Sequence, residues 1–365
     1  MRKLITTFIL IFSFFLSSQE TLFTLVDNSK TGINFSNELV DTKEHSIFLY
    51  ANYYGGAGVG IGDFDNDGLE DIFFAANLLD DKIYKNLGNF EFEDKTKMSG
   101  IINNGSWSTG VTVADVNNDG LLDIYVSCEL YDDAPVLRRN KLYINQGSFK
   151  FKESASEWGV DVDRRTRHSV FFDYNKDGLL DLYLLNHPPN TGNFSPFFGK
   201  DMSLPEYNLQ LFENKGNHFV DVTQSAGLSR SGFPNAAVIG DFNKDGWPDI
   251  YVANDFDSPD FLYFNNKDKT FTYATETSLR HTSFYSMGVD AADINNDSHL
   301  DLMVLDMTAE DNFRLKSNMS GMNPDSFWKV VNDGGHYQYM FNTLQLNNGN
   351  DTFSDIAQFT GTAAT

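Results

Sequence analysis

Five stretches of this chain set oxygen-bearing side chains at positions one, three, five and nine of a nine-residue string. The first reads Asp63-Phe64-Asp65-Asn66-Asp67-Gly68-Leu69-Glu70-Asp71. Its oxygens come from Asp63, Asp65, Asp67 and Asp71. The second offers Asp115, Asn117, Asp119 and Asp123, and the third Asp173, Asn175, Asp177 and Asp181. The fourth offers Asp241, Asn243, Asp245 and Asp249, and the fifth Asp293, Asn295, Asp297 and Asp301. Position six is glycine in four copies and Ser298 in the fifth. Such a set suits a hard divalent cation, and calcium, which takes about 6–8 oxygens at roughly 2.3–2.6 Å, fits best. Alternate residues point at one centre, and the glycine permits the turn that brings position nine back.

An EF-hand loop begins in the same way but needs a bidentate Glu at position twelve, between two helices. Here position twelve is Phe74, Val126, Leu184, Val252 and Val304. The runs that follow each loop, such as Asp71-Ile72-Phe73-Phe74 and Asp123-Ile124-Tyr125-Val126, are β-branched and aromatic and read as buried strands. The loops are therefore turns of β-hairpins, and the EF-hand is rejected.

The elements that must hold these loops repeat with them. Loop starts at 63, 115, 173, 241 and 293 are spaced by 52, 58, 68 and 52 residues, a period that indicates a propeller. A second marker runs out of phase with the first: Ile83-Tyr84-Lys85-Asn86, Leu142-Tyr143-Ile144-Asn145, Leu211-Phe212-Glu213-Asn214, Leu262-Tyr263-Phe264-Asn265 and Leu344-Gln345-Leu346-Asn347. Each is followed by a turn and a Phe, which predicts a hairpin of third and fourth strands. The Tyr is expected to pack the blade and the Asn to take the left-handed turn position. The fold class is thus all-β, with about five complete four-stranded blades between residues 20 and 365. At the N-terminal end, Leu22-Phe23-Thr24-Leu25 and Thr31-Gly32-Ile33-Asn34-Phe35 read as the closing strand of a further blade that lacks its own loop. The propeller is expected to continue beyond this fragment.

Composition agrees. Aromatic residues make up 15%, including 33 Phe and 16 Tyr, which favours sheet. The net charge of −24 argues against nucleic acid and anionic membrane as partners. The single cysteine, Cys128, can form no intrachain disulfide and reads as a small buried hydrophobe. Met1-Arg2-Lys3, an apolar run from Leu4 to Leu16 and Ser17-Ser18-Gln19 form a signal peptide over residues 1–19. No later segment is apolar enough to span a membrane. The mature protein is expected in a secreted, periplasmic or cell-surface location, where calcium is abundant.

Two long connections join second to third strands and should emerge on one face. Asn186 to Asn208 holds Pro188, Pro189, Pro196 and Pro205 with Phe194, Phe197 and Phe198. Asp306 to Asn342 holds Met307, Met319, Met322 and Met340 with Phe327, Trp328, Tyr337 and Tyr339. Such insertions either carry function or cover a blade.

Together these residues resemble the FG-GAP/VCBS repeat family, the calcium-loop propellers that include integrin α-subunit heads and cartilage acidic protein-like proteins. Tyr54-Gly55-Gly56-Ala57-Gly58 is similar to the segment that names the family. The resemblance covers about residues 22–365 and implies a seven-bladed propeller, of which five repeats are present, with further domains C-terminal to them. It also implies calcium at up to five sites, adding the position-seven carbonyls of Leu69, Leu121, Leu179, Trp247 and His299 to the ligands. Loop five, with Ser298 where φ is positive, is expected to be the weakest and loop one, with its extra carboxylate Asp65, the tightest.

The catalytic inventory is thin. The seven histidines are His45, His168, His187, His218, His281, His299 and His336, and no zinc-protease pair, nucleophile elbow or phosphate loop accompanies them. Arg164-Arg165-Thr166-Arg167-His168 reads as a solvated basic rim. The favoured function is a non-enzymatic, exported binding, adhesion or scaffold module for glycans or surface proteins. The alternative is a calcium-dependent polysaccharide lyase or hydrolase built on Arg164, Arg165, Arg167, His168 and His187.

Overall fold

A computed structural model describes residues 22–50, 52–131, 133–188, 205–256, 258–318 and 324–364. The signal peptide expected over residues 1–19 lies outside the described residues. So do Pro189, Phe194, Pro196, Phe197 and Phe198 of the first long connection, and Met319 and Met322 of the second.

Five four-stranded antiparallel sheets follow one another along the chain, each in simple sequence order. Blade one is Val59–Gly62, Asp71–Phe74, Lys82–Asn86 and Phe92–Asp94. Blade two is Trp107–Ala114, Asp123–Glu129, Lys141–Asn145 and Phe151–Glu153. Blade three is Arg165–Phe172, Asp181–His187, Gln210–Asn214 and Phe219–Asp221. Blade four is Pro234–Gly240, Asp249–Asn254, Phe261–Asn265 and Phe271–Tyr273. Blade five is Gly288–Ala292, Asp301–Leu305, Thr343–Asn347 and Phe353–Asp355. The first strand of each blade neighbours the first strand of the next, so these strands line the inner edge of a propeller.

The apolar runs after each loop are apolar on both faces for a reason the packing makes plain. In blades two, three and four every residue of the second strand is buried. Each such strand is sandwiched between neighbouring blades, and the core consists of the layers between them. One layer joins Phe64, Phe73 and Ile83 to Ile124, Val126 and Tyr143. The next joins Tyr125 and Leu142 to Leu182 and Phe212. A third joins Tyr183 and Leu211 to Ile250 and Tyr263, and a fourth joins Tyr251 and Leu262 to Leu302 and Phe353.

The N-terminal expectation needs correction. Neither Leu22–Leu25 nor 31–35 forms a strand; Asn28–Thr31 is a helical turn capped by Asp27 and closed by Gly32 in the left-handed region. Leu22, Phe23 and Leu25 are exposed, with no neighbouring strand among the described residues to pair them. The turn itself matches the helical turns that end blades one, two and five, each closed by a left-handed glycine: Gly100, Gly159 and Gly361.

The blade-five insertion covers the sheet. Its strand Gln338–Tyr339 pairs in parallel with Thr282–Ser283. Phe327 stacks on Tyr339, and Tyr339 stacks on Phe341, while Met340 is buried. Trp328 and Tyr337 stay partly open to solvent.

Candidate metal centres

All five acidic strings form the same loop between the first and second strands of their blades, so they share one end of the propeller. Two residues in each are left-handed. Position four has φ of 57°, 56°, 58°, 58° and 61° at Asn66, Asn118, Lys176, Lys244 and Asn296. Position six is Gly68, Gly120, Gly178, Gly246 and Ser298, the last at φ 69°. The serine therefore carries the conformational cost expected of it. The demand at position four is hidden in the sequence: Asn is a fair signal for it, but Lys176 and Lys244 conceal the pattern.

The carboxylates divide into distinct roles. Position one accepts two backbone N–H groups, from positions five and six. The bonds to Asp63 are 3.0 and 2.7 Å and those to Asp293 are 3.0 and 2.8 Å, with Asp115, Asp173 and Asp241 alike. Position nine also accepts two. Oδ2 of Asp71 takes the Phe64 N–H at 3.0 Å, and its Oδ1 takes the Asn86 N–H at 2.8 Å. Asp123, Asp181, Asp249 and Asp301 repeat this pair of bonds. These position-nine groups are at most 1% exposed. Burial pushes Asp71 up to about 6, and Asp123, Asp181 and Asp249 up to about 7.

Position five spends only Oδ1 on the loop. Asp67 Oδ1 accepts the Leu69 N–H at 2.9 Å, and Asp119, Asp177, Asp245 and Asp297 accept from Leu121, Leu179, Trp247 and His299 in turn. In loops two, four and five the other oxygen takes the amide of Asn117, Asn243 or Asn295. In loop three the Asn175 amide goes instead to Glu213, at 3.0 Å. Loop one differs in kind. Oxygens of Asp63, Asp65 and Asp71 lie within 4.8 Å of one another, and Asp65 Oδ1 is buried without a hydrogen-bond partner. An unpartnered buried carboxylate oxygen at the centre of three acids fits a bound cation. The ranking of loop one as tightest meets an obstacle, however. Lys85 Nζ bonds Asp65 Oδ2, and also Asp67 Oδ2 at 2.6 Å, an internal cation set against the extra carboxylate.

The strand-three Asn does something else than expected. None of Asn86, Asn145, Asn214, Asn265 and Asn347 is left-handed; Gly88, Gly147, Gly216, Lys267 and Gly349 take that conformation. Each Asn side-chain oxygen instead accepts the N–H two residues on, for example Gly216 at 2.8 Å. Its amide holds the acidic loops. Asn145 donates to Leu122 O of its own loop at 3.0 Å and to Phe64 O of the preceding loop at 2.9 Å. Asn214, Asn265 and Asn347 do the same for their own and the preceding loops. Tyr84, Tyr143 and Tyr263 are buried in the blades as read.

The candidates for the enzymatic alternative lie in or beside the first two strands of blade three. Arg167 is not on a solvated rim; its Nη1 pairs with Glu129 Oε2 at 3.1 Å, and Glu129 is 1% exposed. Asn208 O accepts a bond from Arg164 at 3.0 Å. His187 is buried with its Nε2 2.9 Å from Pro234 O, and burial depresses it to about 4. His168 is likewise held low, first by burial and then by Arg167. Cys128 is fully buried and pushed up to about 12, an inert hydrophobe as read.

The model of the FG-GAP-like repeat matches residues 42–126, 202–252 and 241–304, more than half of the chain. The chain belongs to the FG-GAP-like repeat family. Cartilage acidic protein 1 of Xenopus tropicalis is 25% identical over 164 residues, which is 44% of this chain and 24% of that protein. The FG-GAP chain therefore spans about a quarter of that relative's length. Among solved structures, an Agrocybe aegerita lectin described as recognising non-reducing terminal N-acetylglucosamine overlays with a TM-score of 0.44 at 17% identity. That match covers 81% of this chain and 64% of the lectin. The V. cholerae biofilm matrix protein Bap1 overlays at 0.29 and 15% identity, over 61% of this chain and 30% of that one.

Proposed function

We infer that this FG-GAP propeller is a calcium-binding module of an exported protein, and that it serves as a binding, adhesion or scaffold platform for glycans or surface proteins. The observation that carries the calcium reading is the unpartnered, buried Asp65 Oδ1 within a three-carboxylate cage. The position-five Oδ2 atoms, which the loop backbone leaves unused, support it. Oxygen ligands without Cys or His select a hard cation. Export is supported by the leader-like residues 1–19. No described helix is long and apolar enough to cross a membrane. The blade-five insertion, where Trp328 and Tyr337 are exposed, is the platform for a partner.

Calorimetric titration of metal-stripped protein with calcium tests the reading, run beside melting curves with and without chelator. Saturable binding of several ions and a melting temperature lowered by chelation are expected. No heat of binding and an unchanged melt would refute it.

A further inference from the structure

The five loops are joined into one hydrogen-bonded line. Starting from Asp71, Phe64 donates its N–H to that carboxylate and accepts the Asn145 amide on its carbonyl. The Asn145 N–H is on Asp123 at 2.8 Å, and Asp123 accepts from Val116, whose carbonyl takes the Asn214 amide. The pattern continues through Asp181, Tyr174, Asn265, Asp249, Phe242 and Asn347 to Asp301. A second, outer set of links runs the other way. Asn66, at position four of loop one, donates to Gly120 O at 3.0 Å, and Asn118 of loop two donates to Gly178 O at 3.1 Å. Lys176 of loop three bonds Gly246 O and lies 5.0 Å from the Trp247 ring centre. Each receiving glycine uses its N–H to hold the position-one Asp of its own loop.

We propose that Asn66, Asn118 and Lys176 are positioning residues that couple neighbouring metal loops, so that filling one loop raises the affinity of the next. This rests on the calcium reading above. The physical cause is preorganisation. A cation that fixes loop three also fixes the left-handed residue at its position four. The side chain of that residue then steadies the glycine of loop four, before loop four has bound anything. The ordering cost of the second binding event is thereby reduced. Coupling of this kind is reciprocal and is typically worth about 5- to 150-fold in affinity. The donor must suit the reach, and both an amide and an ammonium serve in this chain.

Loop four carries its own reporter, because Trp247 occupies its position seven and can sensitise terbium bound there when tryptophan alone is excited. The experiment is a double-mutant cycle in the full chain, with terbium as the probe and calcium titration counting the sites. Asp177→Asn disables loop three, and Lys176→Met removes the link. With Lys176 present, Asp177→Asn is expected to weaken terbium binding at loop four about fivefold. With Lys176→Met already in place, it is expected to change that affinity little. Equal losses in both backgrounds overturn the coupling while leaving the calcium reading intact. A wild-type chain that binds neither ion overturns both. A parallel test needs no loss of a ligand: Asn118→Gly keeps the left-handed backbone and should flatten the calcium isotherm at unchanged stoichiometry. Asn118→Lys should restore its steepness, and an isotherm indifferent to both substitutions refutes the proposal.

Discussion

Asn214→Ala tests whether the blades are held together through their loops or only through their apolar faces. Asn214 is 1% exposed, and its amide serves Val116 O at 2.9 Å and Leu180 O at 3.0 Å. Val116 is itself 1% exposed, so truncation strands its carbonyl where water cannot reach. The Leu180 carbonyl is half-buried, and the Gly216 N–H at the exposed turn can turn to solvent. One fully and one partly stranded backbone group, at about 1–3 kcal/mol each, put the loss at about 2–4 kcal/mol. Asn86 is the internal control. Among the described residues its amide reaches only Glu70 O, at 2.8 Å in an exposed setting, so Asn86→Ala should cost about 0.5–1 kcal/mol. The difference between them isolates the bond to the preceding blade. Urea unfolding followed by circular dichroism, with chelator present throughout, reads both values without interference from metal. Asn214→Asp should be worse than alanine, since it sets a carboxylate against two carbonyls. Equal losses for Asn214→Ala and Asn86→Ala would refute the reasoning, because they would mean that the link between blades contributes nothing.

Four further outcomes are expected. Ser298→Gly removes a side chain at φ 69° and should stabilise the protein by about 0.5–1 kcal/mol in thermal or urea melts while strengthening calcium binding at loop five. Lys85→Met frees Asp65 and Asp67 of their internal cation, and calorimetry should show one calcium site tightened on the order of tenfold. Arg167→Met leaves Glu129 buried and unpaired and should destabilise by about 3–5 kcal/mol, seen as a lower urea midpoint. Asp260 is fully buried, and burial raises its carboxyl from 3.8 to about 7. The folded state therefore holds this proton more tightly than the unfolded one. Its contribution is complete below about pH 4 and is lost as pH rises toward 7. Asp260→Asn should flatten that fall by on the order of 3–4 kcal/mol between pH 4 and 8 in pH-dependent urea melts. The amide is a fitting replacement. Asn140 and Asn342 already accept the same backbone N–H in blades two and five that Asp260 accepts from Asn254.

What could be read from the sequence was whatever lies close along the chain. The loops, the strands at Asp71–Phe74, Asp123–Glu129 and their counterparts, and the third-to-fourth hairpins are all local patterns, and all are present. Three of the differences share one cause. Asn145 reads as part of its own turn, yet its partner Phe64 is 81 residues away, and Asn347 reaches Phe242 across 105. Arg167 reads as solvated within its own segment because its partner Glu129 belongs to the preceding blade. Lys85 reads as part of a strand marker, although the fold brings it against the carboxylates of its own loop. Contacts between strands and between blades follow no short sequence period, so the pattern of a single repeat cannot disclose them.

This bears on how much of the acidic motif belongs to a cation. Positions one and nine each accept two backbone N–H groups, one on each oxygen, in every loop. A carboxylate can do this and an amide cannot, since its nitrogen end is a donor. The fold thus requires Asp at these two positions with or without metal. Asp63→Asn or Asp71→Asn would unsettle a loop whatever its cargo. Position three varies, as Asp65 in one loop and Asn in four, and in those four its oxygen accepts the position-five N–H. Position five is different again. It is Asp in all five, yet the backbone asks for only one of its oxygens. Substitution in loop three separates the two roles, since Asp177→Asn can keep the bond from Leu179 through its remaining oxygen, and the Asn175 amide is turned to Glu213 instead. That variant should lose calcium at loop three while its chelated form melts within about 1 kcal/mol of the parent. A chelated form much less stable than that would assign position five to the turn as well. The motif would then need no ion to account for it.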